Sequence, residues 1–460
     1  MPRSSPRAAG RARSRLPRSA APRLAVLLGG VLVGWVYEDA RGRLAFRYED
    51  AWRDDPQTYP LSWSMPLAAE LHGDRATRAY LWGLLPDDEV VLAAWARQFG
   101  TSPLHAVALL AHVGEDCPGA VQLARPERLA ALQGQATPAD AATSVTWLTE
   151  AEVAARLREV RTHPGRGRLA SDTGQFSLPG AQPKTALYET ADGRWGVPRG
   201  RLPTNRILKP PVLDVEALVA NEFLCLRLAE VLGMRTATAR MQTFAGVDGE
   251  VEDAIVLERY DRRDVGGRVV RVHQEDGCQA LAVLPGRKYE AQGGPGIGAI
   301  VRLLRAASSR PEVDVTRFLD AVALDWLIAG TDAHAKNYAL LHGAGRQVRL
   351  APLYDVISLA PYPARLAAGD HALAMAVGGE RRIPAIDGSR WRAEARALRV
   401  PADDLLDRIA GLAAAIPDGL TAVVDATAPG PARHALARLA GAIRDHAGAC
   451  ARRLAVAGLR

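Results

Sequence analysis

The chain reads as an α+β protein, two lobes preceded by a small α+β unit. Strand-like alternation with glycine turns dominates residues 24–50 and returns over residues 171–260. From Ile297 onward the apolar spacing is mostly helical, ending in Ala/Leu-rich helices over residues 401–460. Residues 331–360 interrupt those helices with an irregular segment dense in polar side chains. The expected units are a leader at 1–23, an N-terminal unit at 24–125, a linker with a helix at 126–170, a β-rich lobe at 171–300 and a helical lobe at 301–460.

In the first unit a meander is expected at residues 24–28, 31–37 and 44–48. A basic start followed by an apolar run imitates a signal peptide. However, Gly29, Gly30 and Gly34 interrupt the run, no small-residue cleavage site follows, and 13 residues are too few to span a bilayer. Helices are expected at 87–98 and after Ser102-Pro103, and the unit ends near Leu123. Residues 124–148 are Ala/Gln/Thr-rich and are expected to be a linker with a short helix. Thr149-Glu-Ala-Glu-Val opens the next helix. Short strands follow at 175–178, 185–188, 195–197 and 206–208, then an amphipathic helix at 215–232 and strands at 236–243 and 254–260. A helix at 322–329 leads into the irregular segment.

The formal charge of +7 suggests nucleic acid, but its distribution does not. Seven of the 58 basic residues are arginines in the acid-free leader, so the rest of the chain is balanced. A phosphate backbone is bound by a basic surface. The leader is expected to be disordered, serving either no role or a weak polyanion contact. The four cysteines, Cys117, Cys225, Cys278 and Cys450, are scattered without a C-x-x-C pair. This argues against a disulfide framework or zinc site and for a reducing cytoplasm, with no membrane partner.

Thr331-Asp332-Ala333-His334-Ala335-Lys336-Asn337, followed by Leu353-Tyr354-Asp355-Val356, carries the chemistry. Asp332 lies five residues before Asn337, and Asp355 lies 18 beyond it. Kinase catalytic loops use this spacing: the first Asp orients and deprotonates the attacking hydroxyl, and the Asn and second Asp hold magnesium on the nucleotide phosphates. Asp355 sits in an apolar stretch, where a carboxylate is costly without a cation.

Lysine is scarce, with four against 54 arginines: Lys184, Lys209, Lys288 and Lys336. Where a lysine persists, a compact charge on a thin stem serves where a guanidinium would not fit. Lys209 ends a strand, as the phosphate-binding lysine of kinase folds does, and either Glu216 or Glu222 of the following helix could pair with it. Ser177-Leu-Pro-Gly-Ala-Gln-Pro-Lys184-Thr185 is a turn able to cradle phosphates. Pro179 and Pro183 each lack a donor, which shifts weight to Gln182 and Lys184. Glu258-Arg259-Tyr260-Asp261 ends a strand that could offer backbone groups to adenine.

With these residues the chain resembles the HipA family of bacterial serine/threonine kinase toxins. Gly30-Val-Leu-Val-Gly34, Leu84-Leu-Pro-Asp87, Ser177–Thr185, Ile207-Leu-Lys-Pro210, Glu258–Arg262 and Gln274–Ala280 occur in the family's order, before Asp332–Asn337 and Tyr354–Val356. The resemblance implies a kinase-like fold and an ATP- and magnesium-dependent protein kinase. It implies Asp332 as catalytic base and Asn337 and Asp355 as Mg²⁺ ligands. Its nucleotide site would comprise Pro179, Gly180, Ala181, Gln182, Pro183, Lys184, Lys209, Glu258, Arg259, Tyr260, His334, Ala335, Lys336, Asn337, Tyr354 and Asp355. It further implies autophosphorylation at Ser177, a protein substrate such as an aminoacyl-tRNA synthetase, and a small helix-turn-helix antitoxin (HipB-like) through which DNA is met indirectly. A small-molecule or lipid kinase and an inactive antitoxin-binding co-repressor are the rival expectations.

Overall fold

The computed structural model describes residues 22–163, 176–212, 216–364 and 371–456. Nearly all of the leader lies outside them, as do Gln175 and Val215, the expected first residues of a strand and a helix.

The first unit is an antiparallel sheet in the order β4-β3-β2-β1-β5, comprising β1 (Pro22–Leu28), β2 (Val31–Glu38), β3 (Leu44–Tyr48), β4 (Leu71–His72) and β5 (Val121–Ala124). The apolar run that imitates a signal peptide is the inner strand β1. Leu24, Val26 and Leu28 face a core shared with helices Asp74–Gly83, Glu89–Phe99 and Ala106–Val113, while Ala25 and Leu27 face a second cluster with Ala124 and Leu132. A strand covered on both faces has no polar alternation to show. Leu28 pairs with Val31, and Gly29 and Gly30 close the turn at φ +57° and +82°, the left-handed pair a two-residue hairpin requires.

The second unit is a six-stranded antiparallel sheet in the order β10-β11-β9-β7-β8-β6. Its strands are β6 (Val145–Leu148), β7 (Thr185–Glu189), β8 (Trp195–Pro198), β9 (Arg206–Lys209), β10 (Ala239–Ala245) and β11 (Val251–Glu258). β6 falls where only a linker and short helix are expected. It is an edge strand paired with β8, with two of its four residues exposed, so it leaves little apolar pattern. Helix Glu150–Thr162, opened by a Thr149/Glu152 capping box, covers one face through Val153, Ala154 and Leu157, which meet Leu208, Ala254 and Val256. The opposite face carries Ile255 and Leu257, packed with helix Leu218–Val231. In the register, Ile255 opposes Lys209 and Leu257 opposes Ile207, so strand alternation sends Lys209 to that second face, towards the cleft.

The last unit is helical. Helices Ile297–Ala307, Pro311–Ile328, Gly388–Leu398, Ala402–Asp425 and Pro431–Val456 share one large core with helix Leu218–Val231. Ribbon β12 (Arg262–Asp264)/β13 (Val269–Arg271) and a three-stranded sheet of β14 (His273–Asp276), β15 (Ala339–Gly343) and β16 (Gln347–Leu350) join it to the second unit.

Buried charge fastens the N-terminal unit to the rest. The Asp116 carboxylate accepts from Arg262 at 2.8 Å, Arg271 at 3.2 Å and the Thr204 hydroxyl at 2.7 Å. Arg259 adds bonds to Asp261 (2.8 Å) and to the Cys117 carbonyl (2.9 Å), and Asp261 accepts from the Gly119 amide at 2.6 Å. Burial alone would raise the Asp116 carboxyl, but the guanidiniums of Arg262, Arg259 and Arg271 outweigh it and hold the group well below the carboxylate range.

Asp116→Ala would remove the carboxylate that three buried guanidiniums share, leaving them Asp261 and backbone carbonyls, and a loss of about 3–5 kcal/mol is expected in urea unfolding at pH 7. Because the native pKa is depressed, this contribution is complete above the ordinary value of 3.8 and is lost as pH falls below it, so wild type and variant should converge in acid.

Candidate active site

A cavity of about 490 Å³ lies between the second and third units, with the N-terminal unit at its edge. Two of its lining residues, Lys209 and Asp355, belong to an ion triplet completed behind the wall by Glu222. The Lys209 ammonium donates to Glu222 at 2.6 Å and to Asp355 at 2.8 Å. Glu222 is fully buried on the inner face of helix Leu218–Val231. Glu216, the other expected partner, lies before that helix and pairs with Arg438 at 2.7 Å on the surface. Burial and the nearby Asp355 push the Glu222 carboxyl up, although Lys209 opposes them. Burial would also raise Asp355, but Lys209 and Lys184 hold it well below the usual range. Asp355 therefore keeps its charge more firmly of the two. It has φ +60°, a left-handed conformation that Asp tolerates better than most residues and that collects at functional sites.

Asp332, His334, Lys336, Asn337, Tyr354 and Asp355 all line the cavity. Helix Pro311–Ile328 ends at Ala329 (φ +56°), and the chain enters the loop directly. The Asn337 side chain donates to Asp355 (3.4 Å) and accepts the His334 amide (3.2 Å), bringing the two candidate metal ligands together. The Tyr354 hydroxyl donates to the Lys336 carbonyl at 2.6 Å, fastening the second motif to the first. Asp332 stands at the cavity mouth, open to solvent on one side. Burial of its inner side raises its carboxyl, opposed by the hydroxyl of Tyr289, which donates to Oδ1. Burial and the charges of Lys288 and Lys336 drive His334 down to about 3, leaving its imidazole neutral. Ala335 lies outside the cavity, with its carbonyl packed so close to Gly277 that a Cβ there would sit 2.7 Å away.

The loop from Pro179 to Lys184 lines the same cavity. Gly180 has φ +99°, and a Cβ on it would come within 2.6 Å of the Lys184 ammonium. Lys184 donates to the Pro179 carbonyl at 2.7 Å, closing the loop on itself. Burial and the like charge of Lys209 lower it to about 8. Ser177 does not reach the cavity: it is fully buried, and its hydroxyl donates to the Leu84 carbonyl at 2.6 Å. Glu258, Arg259 and Tyr260 also line the cavity. The Arg259 guanidinium, however, is committed to the junction with the N-terminal unit, and only its backbone is available to a ligand. The Tyr260 ring packs against Tyr354 with centroids 5.6 Å apart.

Several lining residues escape the sequence reading. Lys288 is one, so all four lysines of the chain meet at this cavity. Lysine scarcity is the one signal in the sequence that could have found it. Asp87 of the N-terminal unit bridges Lys288 at 2.8 Å and also Lys336. Asp276 and Asp325 line the wall, raised by burial to about 6 and about 7 respectively. Asp276 caps the helix Gly277–Ala280, and Asp325 accepts from the Tyr338 hydroxyl at 2.9 Å.

The donor set suits a nucleotide with a hard divalent cation. As ligands Asp355 and Asn337 would each give an oxygen, the preference of magnesium, which takes one or two protein ligands and completes its shell with phosphate and water. Among the described residues no group of three or more His, Cys, Asp or Glu forms a closed metal cage. Gln182 Nε2 and His334 Nδ1 are buried at the cavity without a protein partner, groups that a polar ligand would satisfy.

The chain matches the HipA N-terminal domain model over residues 24–124 and the HipA-like C-terminal domain model over residues 176–420. It is 35% identical over 400 residues to a Sinorhizobium fredii protein named "Putative kinase Y4mE", covering 86% of this chain and 91% of that one. It is 28% identical over 416 residues to the serine/threonine-protein kinase toxin HipA of Shewanella oneidensis, covering 86% and 88% respectively. Among solved structures, HipA in the Shewanella oneidensis HipA, HipB and operator DNA complex superposes with a TM-score of 0.77 at 25% identity, over 92% of this chain and 96% of that chain. The fold, the cavity between the lobes and these matches make the chain a member of the HipA family.

Proposed function

We propose that the chain is an ATP- and Mg²⁺-dependent serine/threonine protein kinase acting as the toxin of a toxin–antitoxin pair. One observation carries the reading: Lys209, Asp355 and Asn337 form a connected polar cluster in the cavity, backed by the buried Glu222, and Asp332 borders the same cavity from its solvent-facing mouth. Asp332 would orient the acceptor hydroxyl and take its proton. Lys209, held by Glu222, would meet the inner phosphates, and Lys184, Gln182 and the Gly180 backbone would line the outer ones. The apolar side chains Ile207, Val212, Leu218, Ala237, Leu257 and Ile357 would receive the base, beside the backbone of residues 258–260. Asn337 and Asp355 would hold the metal ion, which neutralises charge on the transferring phosphoryl group. The rate gain would come from position and electrostatics rather than covalent chemistry.

The match to HipA in a HipA–HipB–operator complex supports a small helix-turn-helix antitoxin as partner, with DNA met through it. The acceptor would be a protein hydroxyl, with an aminoacyl-tRNA synthetase the first class to test. Ser177 would serve as an internal acceptor only after its hydroxyl leaves the Leu84 carbonyl. No described helix is long and apolar enough to cross a membrane.

Incubation with γ-labelled ATP should put label into protein; label in an organic extract instead would show a small-molecule or lipid acceptor. Asp332→Asn should lower transfer by about 10²–10⁴-fold with ATP affinity retained, because the change removes a base and no phosphate contact. In the wild type the acid limb of the pH–rate profile should lie above pH 3.8, the ordinary carboxyl value, since burial raises Asp332 and the base works deprotonated. Asp355→Asn should weaken nucleotide binding in magnesium by about tenfold or more, and far less in EDTA, as titration calorimetry would read. Ser177→Ala should abolish phosphate at that position by mass spectrometry while the initial rate on an external acceptor stays at the wild-type level.

A further inference from the structure

The catalytic carboxylate assigned above already holds a hydroxyl. Tyr289 projects into the cavity from the segment between Ala280 and helix Ile297–Ala307, and its phenol O–H donates to Asp332 Oδ1. The contact is built rather than incidental. The Tyr289 carbonyl accepts from Gln292 and Gly294, both at 3.0 Å, in a tight turn. A Cβ on Gly294 would sit 2.0 Å from the Arg287 carbonyl and 2.7 Å from that of Tyr289, so the turn admits only glycine there. The neighbouring Glu290 accepts from the Ala376 amide, anchoring the turn to a separate strand. The Tyr289 ring meets the His334 ring edge-on with centroids 4.9 Å apart, and the Lys288 ammonium lies 5.5 Å from the ring centroid. Tyr289 remains half-buried, and Asp332 beside it is exposed.

We propose that Tyr289 stands in for the acceptor hydroxyl on Asp332 and is displaced by the incoming protein acceptor. Its function is to keep water off Oδ1 of the base. This deepens the kinase reading and rests on it. Without an acceptor, a water molecule on Asp332 would attack the γ-phosphorus. A new P–O bond to the water oxygen would form, the bond to the bridging β–γ oxygen would break with ADP leaving, and the water proton would pass to Asp332. A phenol held on Oδ1 blocks that binding mode, so Tyr289 is a gating residue that favours a protein hydroxyl over solvent.

The test is ATP hydrolysis by the full-length protein with magnesium and no protein acceptor. Removing one hydrogen bond to a charged group should raise the hydrolysis rate of Tyr289→Phe by about tenfold, with KM for ATP unchanged because Lys209 and Asp355 are not touched. Tyr289→Leu should show the same rise, and neither substitution should have any effect in an Asp332→Asn background. Unchanged or slower hydrolysis in both single variants, or the same rise without Asp332, overturns the gate while Asp332-dependent transfer by the wild type leaves the kinase reading standing. A wild type that neither hydrolyses nor transfers γ-phosphate removes both.

Discussion

A strand, the helix that follows it and a segment 146 residues beyond the strand's lysine meet at a single ammonium group. Lys209 reaches the cleft because strand alternation in β9 sends Leu208 to one face of the sheet and Lys209 to the other. Helix Leu218–Val231 delivers two consecutive residues to the same place. Glu222 takes Lys209, while Asn221 exchanges two hydrogen bonds with Ser358, at 2.8 Å to its carbonyl and 2.9 Å from its amide. Ser358 follows Asp355 by three residues, so the helix fixes both the lysine and the segment carrying the second acid. The Leu359 amide then donates to the Ala329 carbonyl at 3.0 Å, closing the segment onto the end of helix Pro311–Ile328 from which Asp332 departs. A buried carboxylate and a half-buried one around one cation repel each other if the cation is lost, which binds the geometry of sheet, helix and loop into one unit.

Arginine and lysine divide the buried electrostatics between them. At the junction, Arg259, Arg262 and Arg271 use several donors each on Asp116, Asp261 and nearby carbonyls, a task for the planar fork of a guanidinium. The cavity carries the four lysines, compact charges that can be re-partnered when an anion arrives. Asp87 of the N-terminal unit sits between Lys288 and Lys336, so that unit sets part of the charge a nucleotide would meet. It is therefore a wall of the site as well as a neighbour of it.

Strands β1–β3 and β7–β11 are legible as short runs between glycine, proline and aspartate turns, whereas β4, β5, β6 and β12–β16 are not. Among the described residues of the expected strand at 175–178, only an isolated bridge at Phe176 forms. The Asp/Asn/Asp spacing is legible because it is local. Other features were hidden by long-range pairing. Helix Pro311–Ile328 is more than twice as long as the expected stretch at 322–329, because its first turns carry Asp314 and Arg317, which look like surface. Asp314 is in fact buried, accepting from Ser308, Arg349 and the Leu350 amide. The choice of Glu222 over Glu216 depends on where the helix begins, which falls just after residues outside the described set. Lys288 and Tyr289 lie in a short irregular segment without periodicity, and only the fold brings them to Asp332. Ser177 and Ala335 sit within motif-like runs yet point away from the cavity, since neighbours along a turn need not share a direction.

The loop from Pro179 to Lys184 is held by the N-terminal unit at more than one point. The Ser177 amide donates to the Asp116 carbonyl at 3.0 Å and its hydroxyl to Leu84, while the Asp87 amide reaches the Gly180 carbonyl at 3.4 Å. Pro179 and Pro183 remove two amides, so the loop cannot act as a full backbone cradle and depends on Lys184 for charge. Ser177 itself lies between Phe176 and Leu178, in a small apolar cluster with Ala186. A phosphate on that hydroxyl would place nearly two negative charges in an apolar site beside a carbonyl acceptor. The modified serine could not stay where the unmodified one packs. Its departure would take with it the contacts that place Gly180, Gln182 and Lys184 at the cavity. The same burial that keeps Ser177 from the cavity would thus convert its modification into loss of the loop.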